Sequence, residues 1–414
     1  MRNQFQNLDV TLSLFVVPAD LPLPGALCAI ADKFGFYTLT SFEVESIPWA
    51  CRSRLFALGA RSPRNGRWKV LVTADFAPRP LAWKGGEVDW GQTVDNGRLS
   101  DIPTLWAYFY EFARQSGVTL SGNEMLFVTP TSNVVLDLLT QWAPEIVSGI
   151  EEVVSGLVRS MKPTLPVTSE LDPTGWCRDA RTYLAQYHGR TVVQKVFRPG
   201  RERFVENNRV ASQRLDDIEE APKVIDWGPN WVAIEFFDNA VSLKEFVKKF
   251  ELLPMPVVRS LSSLVHAIHK RGLGHLDFNP RNVLIDSRGA LRVIDFDQIY
   301  QYKNDRPPIV ENVMLAGYDE IMGLDGPAHR WSYDEAWKKI TGLPLDVFLE
   351  PRGYRVSAWR FRSRLLTARR RLKHALWRRG KKNARELLRR DRALRSCPFL
   401  VYVALTKAAL DRAI

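Results

Sequence analysis

The chain has 414 residues, of which 45% are hydrophobic and 25% charged, an ordinary globular balance with room for two or three domains. No stretch reaches the roughly 18 consecutive apolar residues that a membrane-spanning helix needs. The net charge of +12 is concentrated at one end: residues 351–414 hold twenty Lys and Arg against three acids, net +17, so residues 1–350 carry −5.

In chain order, Val10–Val17 is short, follows Asp9 and alternates with Thr11 and Ser13, so it predicts a strand and not a signal peptide. Trp68–Phe76 and Met125–Val128 read as further strands, and Thr104–Ser116 as a helix with aromatics at helical spacing. Asn133 to about Leu157 reads as one helix capped by Ser132 or Thr131. Alternation of strand and helix predicts a small α/β domain over residues 1–160, and no motif in it names a role. Thr129–Asn133 could present backbone N–H groups to an anion, although such a stretch is more often a plain N-cap. Four cysteines (Cys28, Cys51, Cys177, Cys397) are far apart and share no metal spacing, as expected of reduced thiols in a cytosolic protein.

Met161–Pro166 reads as a linker. Arg181–Tyr187 and Thr191–Phe197 predict a hairpin around His188-Gly189, with Lys195 inside the apolar second strand, where a charged side chain needs a partner. Arg203–Leu215 predicts a helix. Trp231–Phe237 is an apolar strand broken at Asp238-Asn239, Ser242–Phe250 starts a helix, and Val257–Arg271 has one apolar face and ends at Gly272-Leu273-Gly274.

The next stretch carries the chemistry. His275-Leu-Asp-Phe-Asn-Pro-Arg-Asn282 leads into Val283-Leu284-Ile285, a turn at Gly289, and Leu291–Ile294, followed by Asp295-Phe-Asp297. The two apolar runs predict a β-hairpin that holds Asn282 at the start of one strand and Asp295 at the end of the other. Two hard oxygen ligands suit Mg²⁺, which takes one or two side chains plus substrate phosphates. Asp277 lies where it can accept a proton from an attacking hydroxyl.

The pattern H-x-D-x-x-x-x-N, hairpin, D-F-x resembles the catalytic loop and metal-binding segment of the protein-kinase-like superfamily. That resemblance implies an α+β, two-lobed fold over residues 165–350, with Asp277 as catalytic base, Asn282 and Asp295 as Mg²⁺ ligands and His275 as a buttress. It implies that Lys195 holds the α- and β-phosphates of ATP and pairs with a helix acid, Glu206 or, one turn earlier, Glu202. It places the adenine edge against main-chain atoms at Glu235–Phe237, and the phosphate-covering loop at Asp172-Pro-Thr-Gly175-Trp, which has one Gly only. Two positions depart from protein kinases: Asn279 stands for the usual Lys, and Asp297 stands for the Gly of D-F-G, as in small-molecule phosphotransferases, and is a further candidate ligand.

Val-Phe-Arg-Pro-Gly after Lys195, Glu-Asn-Asn in the next helix and Asp-Phe-Asp are most similar to the bacterial lipopolysaccharide core sugar (Kdo or heptose) kinases. The resemblance implies an ATP- and Mg²⁺-dependent kinase acting on a sugar hydroxyl of an anionic glycolipid, cytoplasmic and peripheral on the inner membrane face. A soluble small-molecule kinase, a protein kinase and a non-catalytic adaptor are the alternatives. Past Asp297, Tyr318–Ile321 and Ser332–Ile340 look helical, and residues 351–414 form an Arg-rich helical tail. Leu365, Leu372 and Leu376, with Trp359 and Trp377 nearby, give that tail the pattern of a helix lying on an anionic membrane surface; packing on the catalytic part is the bland alternative. Nucleic acid is disfavoured as a partner, because aromatics do not interleave with the charge in any reader motif.

Overall fold

A computed structural model describes residues 10–19, 28, 31–32, 35–46, 56–58, 67–76, 126–128, 132–171, 179–247, 252–303, 306–317 and 332–365. They form a mixed helix and sheet protein of the α+β kind. The backbone divides into two compact units: one runs to Phe237 and takes in Asp295–Ile299, and the other begins at Asp238. The predicted helices at Thr104–Ser116 and Tyr318–Ile321, the loop Asp172–Trp176 and the tail beyond Leu365 lie outside the described residues.

The first unit contains two five-stranded sheets. In the first sheet, β1 (Thr11–Pro18), β2 (Tyr37–Val44), β3 (Phe56–Leu58), β4 (Trp68–Asp75) and β5 (Leu126–Val128) lie in the order β2-β4-β1-β5-β3. Every pairing in it is antiparallel. This corrects the expectation of an α/β segment. Antiparallel neighbours need no crossover helix between them, and the helices that pack on this sheet, α1 (Ser132–Trp142) and α2 (Pro144–Ser160), come after β5. Leu12, Leu14 and Val16 alternate along β1 and join Val70, Val72 and Ala74 of β4 against Val135, Leu138, Leu139, Ile150 and Val154. The single helix expected over 133–157 is two. Pro144 lacks an N–H and its ring clashes with the preceding turn, so it starts a new helix at N1 and ends the old one at Trp142.

The second sheet comprises β6 (Val167–Glu170), β7 (Ala180–Tyr187), β8 (Arg190–Phe197), β9 (Val224–Trp227) and β10 (Trp231–Glu235), in the antiparallel order β6-β7-β8-β10-β9. The predicted β7–β8 hairpin turns at His188 and Gly189, both at positive φ (47° and 76°). Two such residues match the right-handed twist of the strands they join. Helix α3 (Arg203–Arg214) lays Phe204 and Val205 on Phe197, Val232 and Ile234. The linker is fastened to this sheet. Buried Gln194 donates to Thr164 Oγ1 at 2.5 Å and accepts from the Leu165 N–H at 3.2 Å, and Asn230 Nδ2 donates to Ser160 O at 2.8 Å.

In the second unit, β11 (Val241–Ser242) leads into the one-turn helix α4 (Leu243–Phe246), closed by a capping box between Ser242 and Glu245. Helix α5 (Met255–Lys270) buries Val258, Leu261, Leu264, Val265 and Ile268 on the predicted face. Strand β12 (Leu273–His275) follows, and β13 (Val283–Ile285) and β14 (Leu291–Val293) form the predicted antiparallel hairpin, with β11 on the outer side of β13. The helix expected at Ser332–Ile340 is broken at Trp337 into α6 (Tyr333–Ala336) and α7 (Lys338–Thr341). A last helix runs over residues 353–365, where Arg360 donates to Leu253 O at 2.8 Å and Ser363 to Gly342 O at 2.8 Å. Among the described residues no helix is long and apolar enough to cross a membrane.

Candidate active site

The predicted site residues fall into two clusters, one in each unit. In the first unit, β8 presents Lys195 opposite Val232 and Thr182, and its side chain is buried. The Nζ hydrogen-bonds Asp295 Oδ1 and lies 2.8 Å from Asp297 Oδ1. Asp297 is held twice more, by Asn208 Nδ2 on its carboxylate at 2.9 Å and by Asn207 Nδ2 on its main-chain oxygen at 2.7 Å. Asp295 is more open, with 35% of its side chain exposed, and sits at φ +70°, a left-handed conformation that Asp tolerates better than most residues.

The electrostatics follow from this packing. Burial alone would drive Lys195 toward its neutral form, but the attraction of Asp295 and Asp297 and their hydrogen bonds outweigh it and hold the ammonium well above its usual range. Burial pushes the Asp297 carboxyl up to about 7. Lys195 opposes that shift, whereas the neighbouring Asp295 charge adds to it.

Glu206 is corrected: it does not pair with Lys195. Its side chain is 60% exposed and takes Arg209 Nη1 at 2.6 Å. The buried stripe of α3 is Phe204, Asn208 and Ala211. Glu206 lies two residues from both Phe204 and Asn208, about 200° around the helix and so on the opposite face. The alternative, Glu202, accepts instead from the Gly200 N–H at 3.1 Å. The inward position that sequence reasoning gave to an acid is filled by an amide, Asn208. A polar residue in phase with the apolar stripe was the signal for it. At the end of β10, the Glu235 N–H is spent on Lys223 O at 2.9 Å, so any main-chain contact to a ligand edge there falls to other groups of Glu235–Phe237.

The second cluster is built on the loop after β12. Asp277 is clamped by two amides: Asn279 Nδ2 donates to Oδ1 at 2.7 Å and Asn282 Nδ2 to Oδ2 at 2.7 Å. Both amides also donate to Asp277 O, at 3.1 and 2.9 Å. Asn279 Oδ1 accepts from the Arg281 N–H at 2.8 Å. Sequence reasoning treated Asn279 only as a departure from a pattern; it is half of the clamp. The Asn282 amide nitrogen thus faces Asp277, and among the described residues no hydrogen bond ends on its Oδ1.

The loop is locked from behind. The fully buried His275 accepts the Asp277 N–H on Nδ1 at 3.2 Å, which leaves Nε2 as the donor to Ile294 O at 2.9 Å. Trp337 Nε1 donates to Phe278 O at 3.0 Å, and its ring packs on Phe278 with centroids 5.0 Å apart.

The cluster of the first unit offers a buried cation between two acids, one of them partly accessible; the cluster of the second unit offers a carboxylate oriented by two amides. Among the described residues no group of three or more His, Cys, Asp or Glu forms a denser metal cluster. Taken singly, the amide oxygen of Asn282 and the carboxylate of Asp295 are hard donors of the kind Mg²⁺ takes, an ion that keeps few protein ligands and completes its shell with water and phosphate.

No protein-family model matches the chain. A probable serine/threonine-protein kinase of Clostridium perfringens is 24% identical over 123 residues, 29% of this chain and 16% of the kinase. The 2-5A-dependent ribonuclease of Mus musculus is 28% identical over 139 residues, 31% of this chain and 19% of the ribonuclease. The chain is similar to a protein kinase. It spans less than a fifth of the length of either relative, and the likeness supports a kinase-like reading at the level of the superfamily.

Proposed function

We propose that this chain is an ATP- and Mg²⁺-dependent phosphotransferase with a two-lobed, protein-kinase-like fold over residues 165–350, acting on a sugar hydroxyl of an anionic glycolipid. The observation that carries the reading is the Asp277 carboxylate, fixed on both oxygens by Asn279 and Asn282 in a loop locked by His275 and Trp337. A base must be held in orientation to take a proton from a hydroxyl, and this is a structure for holding one. Asp277 accepts that proton as the acceptor oxygen bonds to the γ-phosphorus and the bond to the ADP oxygen breaks. Lys195 holds the α- and β-phosphates. Asn282 and Asp295 would hold Mg²⁺, with Asp297 behind them; the ion would neutralise charge on the phosphate oxygens. Glu235 and Phe237 would bound the adenine edge.

The test is transfer of label from γ-labelled ATP into a cell extract separated into glycolipid, protein and small molecules. Label in the glycolipid fraction that Asp277→Asn abolishes is the expected result. Asp277-dependent label in another fraction would replace the acceptor with a protein or a soluble small molecule. No Asp277-dependent label with folded protein would favour a non-catalytic adaptor, a reading that the pairing of Lys195 with two acids, and with no helix glutamate, also supports.

A peripheral membrane position is part of this proposal. On the helix over 353–365, Tyr354, Phe361 and Leu365 are 83%, 64% and 56% exposed and share one face at i, i+7 and i+11, beside Arg362 and Arg364. Near an anionic surface each basic residue contributes on the order of 1 kcal/mol. The full chain is expected to float with vesicles containing anionic lipid and to float less after Tyr354→Ser with Phe361→Ser. Equal flotation with zwitterionic vesicles, or none with either, would remove the membrane from the proposal.

A further inference from the structure

The N-terminal sheet has no motif, yet it reaches the loop between Lys195's strand and helix α3. That loop, Arg198-Pro-Gly-Arg-Glu202, is pinned from outside. Arg201 has 5% of its side chain exposed and lies between two acids. Its Nη1 pairs with Asp32 Oδ2, its Nη2 donates to Asp32 O at 2.7 Å, and its Nε donates to Asp179 Oδ1 at 2.8 Å. Arg198 is equally buried and donates from Nη1 to Gly35 O at 3.1 Å. Between them Gly200 sits at φ +82°, and a Cβ there would lie 3.1 Å from Tyr37 Cδ2 of β2 and 3.3 Å from Asp32 Oδ1. Asp32, Gly35 and Tyr37 all belong to the segment that enters the N-terminal sheet.

The same loop starts α3. The Phe204 N–H donates to Arg201 O at 3.0 Å, so the pinned arginine supplies the carbonyl that opens the helix. One turn after Phe204, Asn207 and Asn208 hold Asp297, which pairs with Lys195. Helix α3 has no glutamate bridge to Lys195, so besides the apolar packing of Phe204 and Val205 its placement rests on these amides and on the loop at its start.

We propose that the N-terminal sheet is a positioning element for helix α3, with Asp32 and Arg201 as positioning residues that set the Asn207 and Asn208 contacts to Asp297. The consequence for nucleotide binding rests on the reading of Lys195 and Asp297 given above; the mechanical link does not. A fork of guanidinium bonds desolvated between two carboxylates is rigid in a way that a single surface pair is not. Displacing it moves the first turn of α3, and with it the two amides on the next turn.

Amide hydrogen exchange on the full chain without nucleotide tests the link directly, in Asp32→Asn and Gly200→Ala. The expected result for both is exchange at least tenfold faster through Arg203–Arg214, with β1 and β4 protected as in the wild type. Thr73→Val is the control: it removes the 3.0 Å bond from Thr73 Oγ1 to Ser13 O inside the N-terminal sheet and should loosen β1 and β4 only. Asp32→Glu, which keeps the carboxylate, should restore protection of α3. Unchanged exchange in α3 for both folded variants, or equal loosening of α3 by Thr73→Val, would overturn the proposal. Mg·ATP titration then separates the two readings. Weaker binding in Asp32→Asn with an unchanged limiting rate supports both. Faster α3 exchange in a protein whose wild type binds no nucleotide keeps the positioning link and removes the nucleotide role.

Discussion

Lys195→Ala is expected to destabilise the metal-free protein by about 3 kcal/mol near pH 8, and to abolish tight binding of Mg·ATP. Removing one member of a buried ion pair typically costs about 3–5 kcal/mol, because the partner is left charged and desolvated. The lower end applies here, since Asp295 is 35% exposed and water screens it. The cost depends on pH. Asp297 already stands at about 7, and loss of the Lys195 charge removes what holds it down, so its carboxyl moves further up. The folded variant then binds a proton that the unfolded chain, with a carboxyl near 4, has released. Where the native state holds more protons than the unfolded one, stability falls as pH rises. Urea unfolding in chelator-containing buffer should therefore show a variant that recovers stability from pH 8 to pH 6, relative to wild type. Equal stability of the two proteins at both pH values would mean that Lys195 is not the counter-charge of these acids in solution.

The parts of the site that were legible in the sequence are those set by local pattern. Two short β-branched and apolar runs around Gly289 specify a hairpin whatever the rest of the chain does, with Asn282 expected before its first strand and Asp295 after its second; the second strand ends at Val293, and the Ile294 N–H donates to Asn282 O at 2.9 Å. A lysine in an apolar strand announced a partner, although not which one. The phase of α3 decided that: Glu206 and Asn208 are two residues apart and lie on opposite faces, and only the packing of Phe204 and Ala211 says which face turns inward. Strand direction in the N-terminal sheet was illegible for a different reason. Period-2 alternation is the same for parallel and antiparallel strands, and the pairing is decided by contacts far apart in sequence, such as Thr11 with Asp75. Two signals were present and passed over. Pro144 forbids a continuous helix, and Tyr37-Thr-Leu-Thr-Ser-Phe-Glu-Val44 has the residue types of a half-buried strand. The long-range bonds of Arg201 have no sequence signature, since Asp32 lies 169 residues away.

Asp277→Asn should lower the limiting rate by roughly 10²–10⁴-fold, the usual worth of a positioned general base. It should also cost stability, which a shape-conserving exchange does not at first suggest. Both carboxylate oxygens of Asp277 accept from an amide N–H₂, one from Asn279 and one from Asn282. An asparagine at 277 turns one acceptor into a donor and sets it against another donor. Neither neighbour can flip to relieve this. Asn282 Nδ2 is also tied to the main-chain oxygen of residue 277, and Asn279 is tied at both ends, through Nδ2 to that oxygen and through Oδ1 to the Arg281 N–H. One donor is left unmatched, at a cost of about 1–3 kcal/mol. The KM for ATP should move little, because the groups assigned to the phosphates are Lys195 and the ligands of Mg²⁺. Turnover within tenfold of wild type would take the base role from Asp277. A rise in KM as large as the fall in rate would assign Asp277 to holding the nucleotide, and the acceptor's proton would then need another destination.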